Sequence, residues 1–99
     1  MPNIELIGFP IAEVNDDLLT PIREIISDMG LIADAVITHY EGSRVIDYNG
    51  HSQPFARVCS TSLAQATLIA DRLQKRLPEL DVELVEIAGF KPGEKPPVL

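Results

Sequence analysis

The sequence predicts an α/β (α+β) fold of two β-α-β units, forming one four-stranded sheet with both helices on the same face. Three observations predict it. Short apolar segments with strand character alternate with segments whose apolar residues recur at helical spacing. The order of these segments is the same in the two halves of the chain. Each half also opens with a proline at the head of a strand, Pro2 and Pro54, 52 residues apart. An internal duplication is the economical explanation of that echo.

Residues 3–9, NIELIGF, are apolar with polar residues at 3 and 5, and read as a strand. PIAEVND turns the chain. Leu18, Leu19, Ile22, Ile25, Ile26 and Met29 then follow helical spacing. Asn15, Asp16 and Asp17 supply a cap and favourable charge at the start of that helix, and Gly30 is a typical stop. Pro21 fits a helix beginning near Asp17, because first-turn amides need no helical partner. An earlier start would put a kink there. ADAVITHY is the second strand. The turn signals EGSR and YNGHSQ bracket VIDY, a candidate short extra strand. PFARVCS is the next strand, with Pro54 at its permitted first position. Ser62 and Gln65 form a capping box for a helix that buries Ala66, Ile69, Ala70, Leu73 and Leu77 before Pro78 ends it. DVELVEI is the last long strand.

The chain of 99 residues with 45% hydrophobic content fits one domain, 1–99, with a small core. Its first β-α-β unit covers 1–40 and its second 54–88. The Pro- and Gly-rich segment 89–99 reads as a C-terminal arm. A right-handed crossover in each unit makes its two strands parallel. The strands carry apolar residues at both parities: Val82 and Leu84 on one side, Val85 and Ile87 on the other. Such strands expect cover on both faces, and the chain has no third helix to provide it. The expectation is a homo-oligomer that buries its sheet faces. A ferredoxin-like monomer has the same element count with different strand pairing, and is the competing topology.

A net charge of −7 with only 8 Lys and Arg argues against a phosphate-backbone partner, so no nucleic acid is expected. No apolar run spans a bilayer and no signal peptide is recognisable, so no membrane association and a soluble cytoplasmic protein are expected. One cysteine, Cys59, excludes an internal disulfide, and it reads as a small core residue. His39 and His51 are isolated from any carboxylate cluster, so neither a metal nor another cofactor is expected. Arg57 shares its strand face with Phe55 and Cys59, and an arginine there demands an acidic partner: Glu5, Glu83 or Glu86. Arg72, Lys75 and Arg76 lie on the solvated side of the second helix.

Met1 precedes a small residue and is the kind normally trimmed, which leaves Pro2 with a free secondary amine. An α-amino group has a reference pKa near 8, and burial in an apolar pocket lowers it. A base poised near neutrality can move a proton from carbon beside a carbonyl.

The Met-Pro opening of a strand, the duplicated order and the stretch AVITHYEGSRVIDYNGHSQPFARVCS resemble the tautomerase superfamily. The likeness covers roughly residues 2–88. It is nearest to the duplicated single-chain members and to small bacterial proteins that begin Met-Pro. The resemblance implies a homotrimer or hexamer, no cofactor, and Pro2 as catalytic base for keto–enol tautomerisation or isomerisation of a small carbonyl acid. It also implies cations near that proline to bind the carboxylate. The family's basic residue after the first strand has no counterpart in GFPIAEVNDD, and LIADAVI lacks the one near the second strand. The family's tyrosine on the last strand is missing from DVELVEI. Arg57, Arg44 and Tyr48 are therefore the candidate substrate-binding residues, with Lys91 a further cation in the arm. The alternative is a non-catalytic oligomeric relative that keeps the fold in a binding or structural role.

Overall fold

The computed structural model describes residues 2–88. The C-terminal arm 89–99, with Lys91, and Met1 lie outside the described residues. Strand β1 spans Asn3–Ile7, helix α1 Asp16–Asp28, β2 Val36–His39, β3 Phe55–Ser60, α2 Leu63–Arg76 and β4 Asp81–Glu86, with a short 3-10 turn at Ile11–Glu13. The sheet order is β2-β1-β3-β4. β1 pairs parallel with β2, β3 parallel with β4, and β1 antiparallel with β3. Each β-α-β unit therefore keeps its two strands side by side, joined to the other unit through the central pair. That excludes the ferredoxin-like alternative, whose β-α-β units are split by an intervening strand. It is the arrangement the resemblance implies.

The register shows how the duplication is used. In the β1–β3 ladder Glu5 pairs with Arg57, Asn3 with Cys59 and Ile7 with Phe55. Glu5 and Arg57 are themselves 52 residues apart, as are Pro2 and Pro54. The two halves thus meet about a pseudo-twofold axis that passes between equivalent positions carrying opposite charges.

Parity decides what is buried. Ile4 and Leu6 of β1 and Ala56 and Val58 of β3 point toward the helices and are fully buried. Leu18, Ile22, Ile25 and Ile26 of α1 and Ala66, Ile69 and Leu73 of α2 close over them as one cluster. Each fully buried Ile, Leu or Val contributes about 1.5–3 kcal/mol. Both expected helical stripes are found. Leu19, Met29, Ala70 and Leu77 lie half-buried at the margin of this core.

Local signals also hold, with three corrections. Asn15 caps α1, its side chain accepting from the Asp17 amide. The helix starts at Asp16, so Pro21 sits in the second turn and not among the amides that lack helical partners. The Asp17 carbonyl loses its usual donor, a cost the buried stripe outweighs. At α2 the Gln65 amide donates to Ser62 Oγ at 3.2 Å, as a capping box requires. The return arm is different: the Ser62 amide donates to Ser60 Oγ, which donates to Gln65 Oε1 at 2.8 Å. Ser60, buried at the end of β3, relays the box. VIDY forms only an isolated bridge, Ile46 to Ser52, because Asp47 folds its neighbours into a turn by accepting from the Asn49 and His51 amides.

The face of the sheet opposite the helices carries Asn3, Glu5 and Ile7, Val36 and Thr38, Phe55, Arg57 and Cys59, and Asp81, Glu83 and Val85. It is less apolar than the alternation of the strands suggested, since its middle row runs Thr38, Glu5, Arg57, Glu83. No described helix is long and apolar enough to cross a membrane.

Gly8 ends β1 at φ +83°, and a Cβ there would lie 3.1 Å from Val45 Cγ2 and 3.3 Å from the Pro54 Cα. Both the backbone and the space demand glycine. Gly8→Ala is expected to destabilise the protein by about 1–3 kcal/mol in urea titrations at neutral pH, and an unchanged midpoint would contradict this packing.

Candidate functional site

Pro2 heads β1, the strand that joins the two units. It is buried, and its carbonyl accepts from the Val36 amide at 3.0 Å. One residue on, the Thr38 hydroxyl donates to Asn3 Oδ1 at 2.9 Å on the uncovered face. The first residues of the chain are thus tied to β2 by both backbone and side chain.

Arg57 lies at the centre of the same face. Its Nη1 is 3.8 Å from Glu5 Oε1 and its Nε 3.9 Å from Glu83 Oε2, while its guanidinium stands 5.4 Å over the Phe55 ring. Of the three acids expected as partners, Glu5 and Glu83 are the ones it uses. The cross-strand neighbours dictate this: Glu5 and Glu83 flank Arg57 in register on β1 and β4, whereas Glu86 pairs with Ser60. A substrate carboxylate would compete there with two carboxylates already in place. A cleft of about 460 Å³ beside the pair is lined by Asp81 and Glu83 together with Val45, Gln53, Phe55, Gln74 and Val82, which makes it acidic as well.

Glu5 is the most enclosed charge, only 7% exposed. Cys59 Sγ donates to its Oε1 at 2.9 Å and the Tyr40 hydroxyl donates to Oε2. The hydrogen bond from Cys59, that from Tyr40 and the charge of Arg57 together hold the carboxyl below the usual range, against the opposing effect of burial. Burial, and then the bond to Glu5, push the Cys59 thiol up to about 11. Cys59 is therefore a neutral donor at physiological pH and not a poised nucleophile. The bond to Glu5 is also the main reason that the Tyr40 phenol titrates above its ordinary value.

Tyr40 and Cys59 escaped the sequence reading as members of this cluster. The signal was parity: Tyr40 falls two residues after Thr38, one past the end of β2, so it rises on the face that carries Glu5.

Arg44 and Tyr48 stand elsewhere. Both are exposed in the 40–54 loop, with Tyr48 fully so. Ser43 Oγ of that loop accepts from the Gly8 amide at 2.7 Å, which fixes the loop at the far end of β1. At about 3.3 Å per residue, Pro2 and Gly8 are about 20 Å apart. Within one chain the structure does not bring Arg44 or Tyr48 to Pro2. The two histidines serve the loops: His39 Nε2 lies 3.0 Å from the Phe9 carbonyl, and His51 Nδ1 3.4 Å from Asp47 Oδ2. Among the described residues no group of three or more His, Cys, Asp or Glu side chains could hold a metal ion.

No family model matches this chain, and no curated protein matches it in sequence. Solved structures do. A protein of unknown function from Vibrio cholerae superposes with a TM-score of 0.60 at 15% identity, over 94% of this chain and 85% of the other. That likeness shows a shared fold. The macrophage migration inhibitory factor of Toxoplasma gondii gives a TM-score of 0.47 at 14% identity over 95% and 96% of the two chains. Leishmania major MIF2 gives 0.46 at 13% over 91% and 93%.

The Glu5 cluster predicts an acid-limb effect with a definite sign. Glu5 has a depressed folded-state pKa, so its contribution is present above the unfolded value of about 4.5 and lost as pH falls through the folded value. Glu5→Gln is expected to cost about 1–3 kcal/mol at pH 7, because the amide leaves Arg57 and two donors mismatched. The loss relative to wild type is expected to shrink on acidification below pH 4.5. Urea unfolding at pH 7 and pH 3.5 checks both, and a gap that widens in acid refutes the assignment.

Proposed function

We propose that this chain is a cofactor-independent tautomerase or isomerase in which Pro2 acts as general base on a small carbonyl acid. One observation supports the reading above others: Pro2 is buried at the head of the central strand with its backbone fixed to β2. Once Met1 is removed, the ring nitrogen is a secondary amine in sheltered surroundings, and its basicity is drawn toward neutrality. The α-carbon of the substrate gives its proton to that nitrogen, and the proton is returned to oxygen or carbon.

Carboxylate binding belongs in this reading to a neighbouring copy. Arg44 and Tyr48 project into solvent at the end of β1 away from their own Pro2, and Arg57 is already balanced by Glu5 and Glu83. A homotrimer that covers the open sheet face would let the 40–54 loop of one chain reach the Pro2 of the next. The oxygen of Tyr48 and the guanidinium of Arg44 would then hold the acid group.

The second reading is a non-catalytic oligomeric relative, favoured by the neutralisation of Arg57 within its own chain. Chemistry at residue 2 separates the two. Protein whose intact mass shows a free Pro2 is expected to interconvert phenylpyruvate enol and ketone. Pro2→Ala, and a sample that retains any residue before Pro2, are expected to fall to the uncatalysed rate, because acylation removes the basicity. Turnover that survives in a chain retaining Met1 would eliminate the base role. Light scattering is expected to give three times the 10.9 kDa chain mass.

A further inference from the structure

We propose that the cleft between the end of α1 and the edge strand β2 binds a small apolar carboxylic acid, with Arg23 holding the carboxylate and three isoleucines holding the carbon body. Pro2 does not line this cleft, so the proposal stands apart from the reading of Pro2 as base.

The walls are built by local sequence. Gly30 follows α1 at φ +70°, its amide donates to the Ser27 carbonyl, and the Leu31 amide reaches back to the Ile26 carbonyl. That pair of bonds is a Schellman stop, which turns the chain sharply off the helix. The amides of Asp34 and Ala35 then both donate to the Leu31 carbonyl, so the connector into β2 is a fixed turn. The result is a cleft of about 450 Å³ lined by Arg23, Ile26 and Ser27 of α1, Ile32 and Ala35 of the connector and Ile37 of β2. Its volume, and its lining of apolar carbon with few polar groups, suit a small ligand. β2 is an edge strand, so no further described strand closes the outer side. Ile32 stands 73% exposed at the rim, apolar surface that an occupant would cover.

The polar groups specify the occupant. Arg23 and Ser27 are one helical turn apart and so lie side by side along α1. Arg23 is the single charged residue lining the cleft, and it pairs with no acid among the described residues. The acids of this half of α1 face the other helix: Glu24 pairs with Arg76 of α2 at 2.9 Å, and Asp28 lines the cleft between the helices with Arg72. Asp34 of the connector does not line the Arg23 cleft, whereas the cleft beside Arg57 carries both Asp81 and Glu83. In a chain of net charge −7, a guanidinium free of acids beside apolar carbon is a local site of positive potential. Its planar fork presents two parallel donors to a carboxylate, and the Ser27 hydroxyl adds a third. One cation matches one negative charge, and the isoleucine walls match a hydrocarbon body. A dianion or a sugar would leave charge or hydroxyls against carbon without partners.

The test titrates the full chain with 3-phenylpropanoate, which has no ketone to turn over, and follows backbone amides by NMR at neutral pH. Saturable shifts are expected at residues 23–27 and 32–37, with a Kd in the low millimolar range or tighter. Arg23→Gln keeps a good helix former at an exposed position and is expected to weaken binding at least about fivefold. Ile32→Gln, also exposed, is expected to weaken it about threefold. The alcohol 3-phenylpropan-1-ol, which lacks the charge, and acetate, which lacks the carbon body, are each expected to bind at least about fivefold more weakly than the acid. An unchanged Kd in Arg23→Gln, or equal binding of the alcohol, overturns the proposal. So does the absence of saturable shifts at these amides, the result expected if a second copy of the chain covers the cleft. Pro2→Ala is expected to bind the acid like wild type; loss of binding there would move the acid to Pro2 and overturn this site. Failure of turnover at Pro2 leaves the cleft standing, and failure of binding here leaves the base reading in place.

Discussion

Glu5 and Arg57 face each other where the two β-α-β units meet, and the rest of the structure is arranged around that contact. They occupy equivalent positions in the duplicated halves and fall opposite one another in the β1–β3 ladder. A duplicated sequence with the same charge at both positions would place like charges across a strand pair, which is destabilising. The opposite signs turn the junction into an attraction. Glu83 from β4 and the hydroxyl and thiol of Tyr40 and Cys59 complete the set, so all four strands or their immediate extensions contribute to one polar cluster.

That cluster gives the two faces of the sheet different physical character. The helix side is a dry stripe in which Ile4, Leu6, Val58, Ile22, Ile69 and Leu73 have no exposed surface. On the other side Glu5 is shielded by side chains that are themselves partly exposed, Arg57 at 36% and Tyr40 at 43%. A buried carboxylate there is tolerable because Cys59 and Tyr40 donate to it and the Arg57 guanidinium lies beside it. Removing the donors one at a time would leave a charge without compensation, which is why the group acts as a unit.

The same geometry bears on function. Strand β1 separates its two ends by about 20 Å. Pro2 sits at one end, clasped to β2, and the 40–54 loop with Arg44 and Tyr48 sits at the other. Chemistry that needs both must draw them from different copies. Arg57 is near neither end, and its charge is used up in holding the two halves together.

The sequence by itself determined the order of elements, the helical stripes, the caps at Asn15 and Ser62 and the duplication marked by Pro2 and Pro54. These are legible because they depend on spacings within a few residues, set by periods of 3.6 and 2. Its apolar neighbours also showed that Arg57 needs an acidic partner, with Glu5, Glu83 and Glu86 as candidates. The tertiary structure alone decided which strands pair, and hence that Glu5 and Glu83 hold Arg57, that Tyr40 and Cys59 donate to Glu5, and that Arg44 and Tyr48 stand apart from Pro2. Those contacts join residues 26 to 54 positions apart in the chain. Their register is fixed by how the two apolar stripes pack on the sheet, and no local spacing encodes that choice.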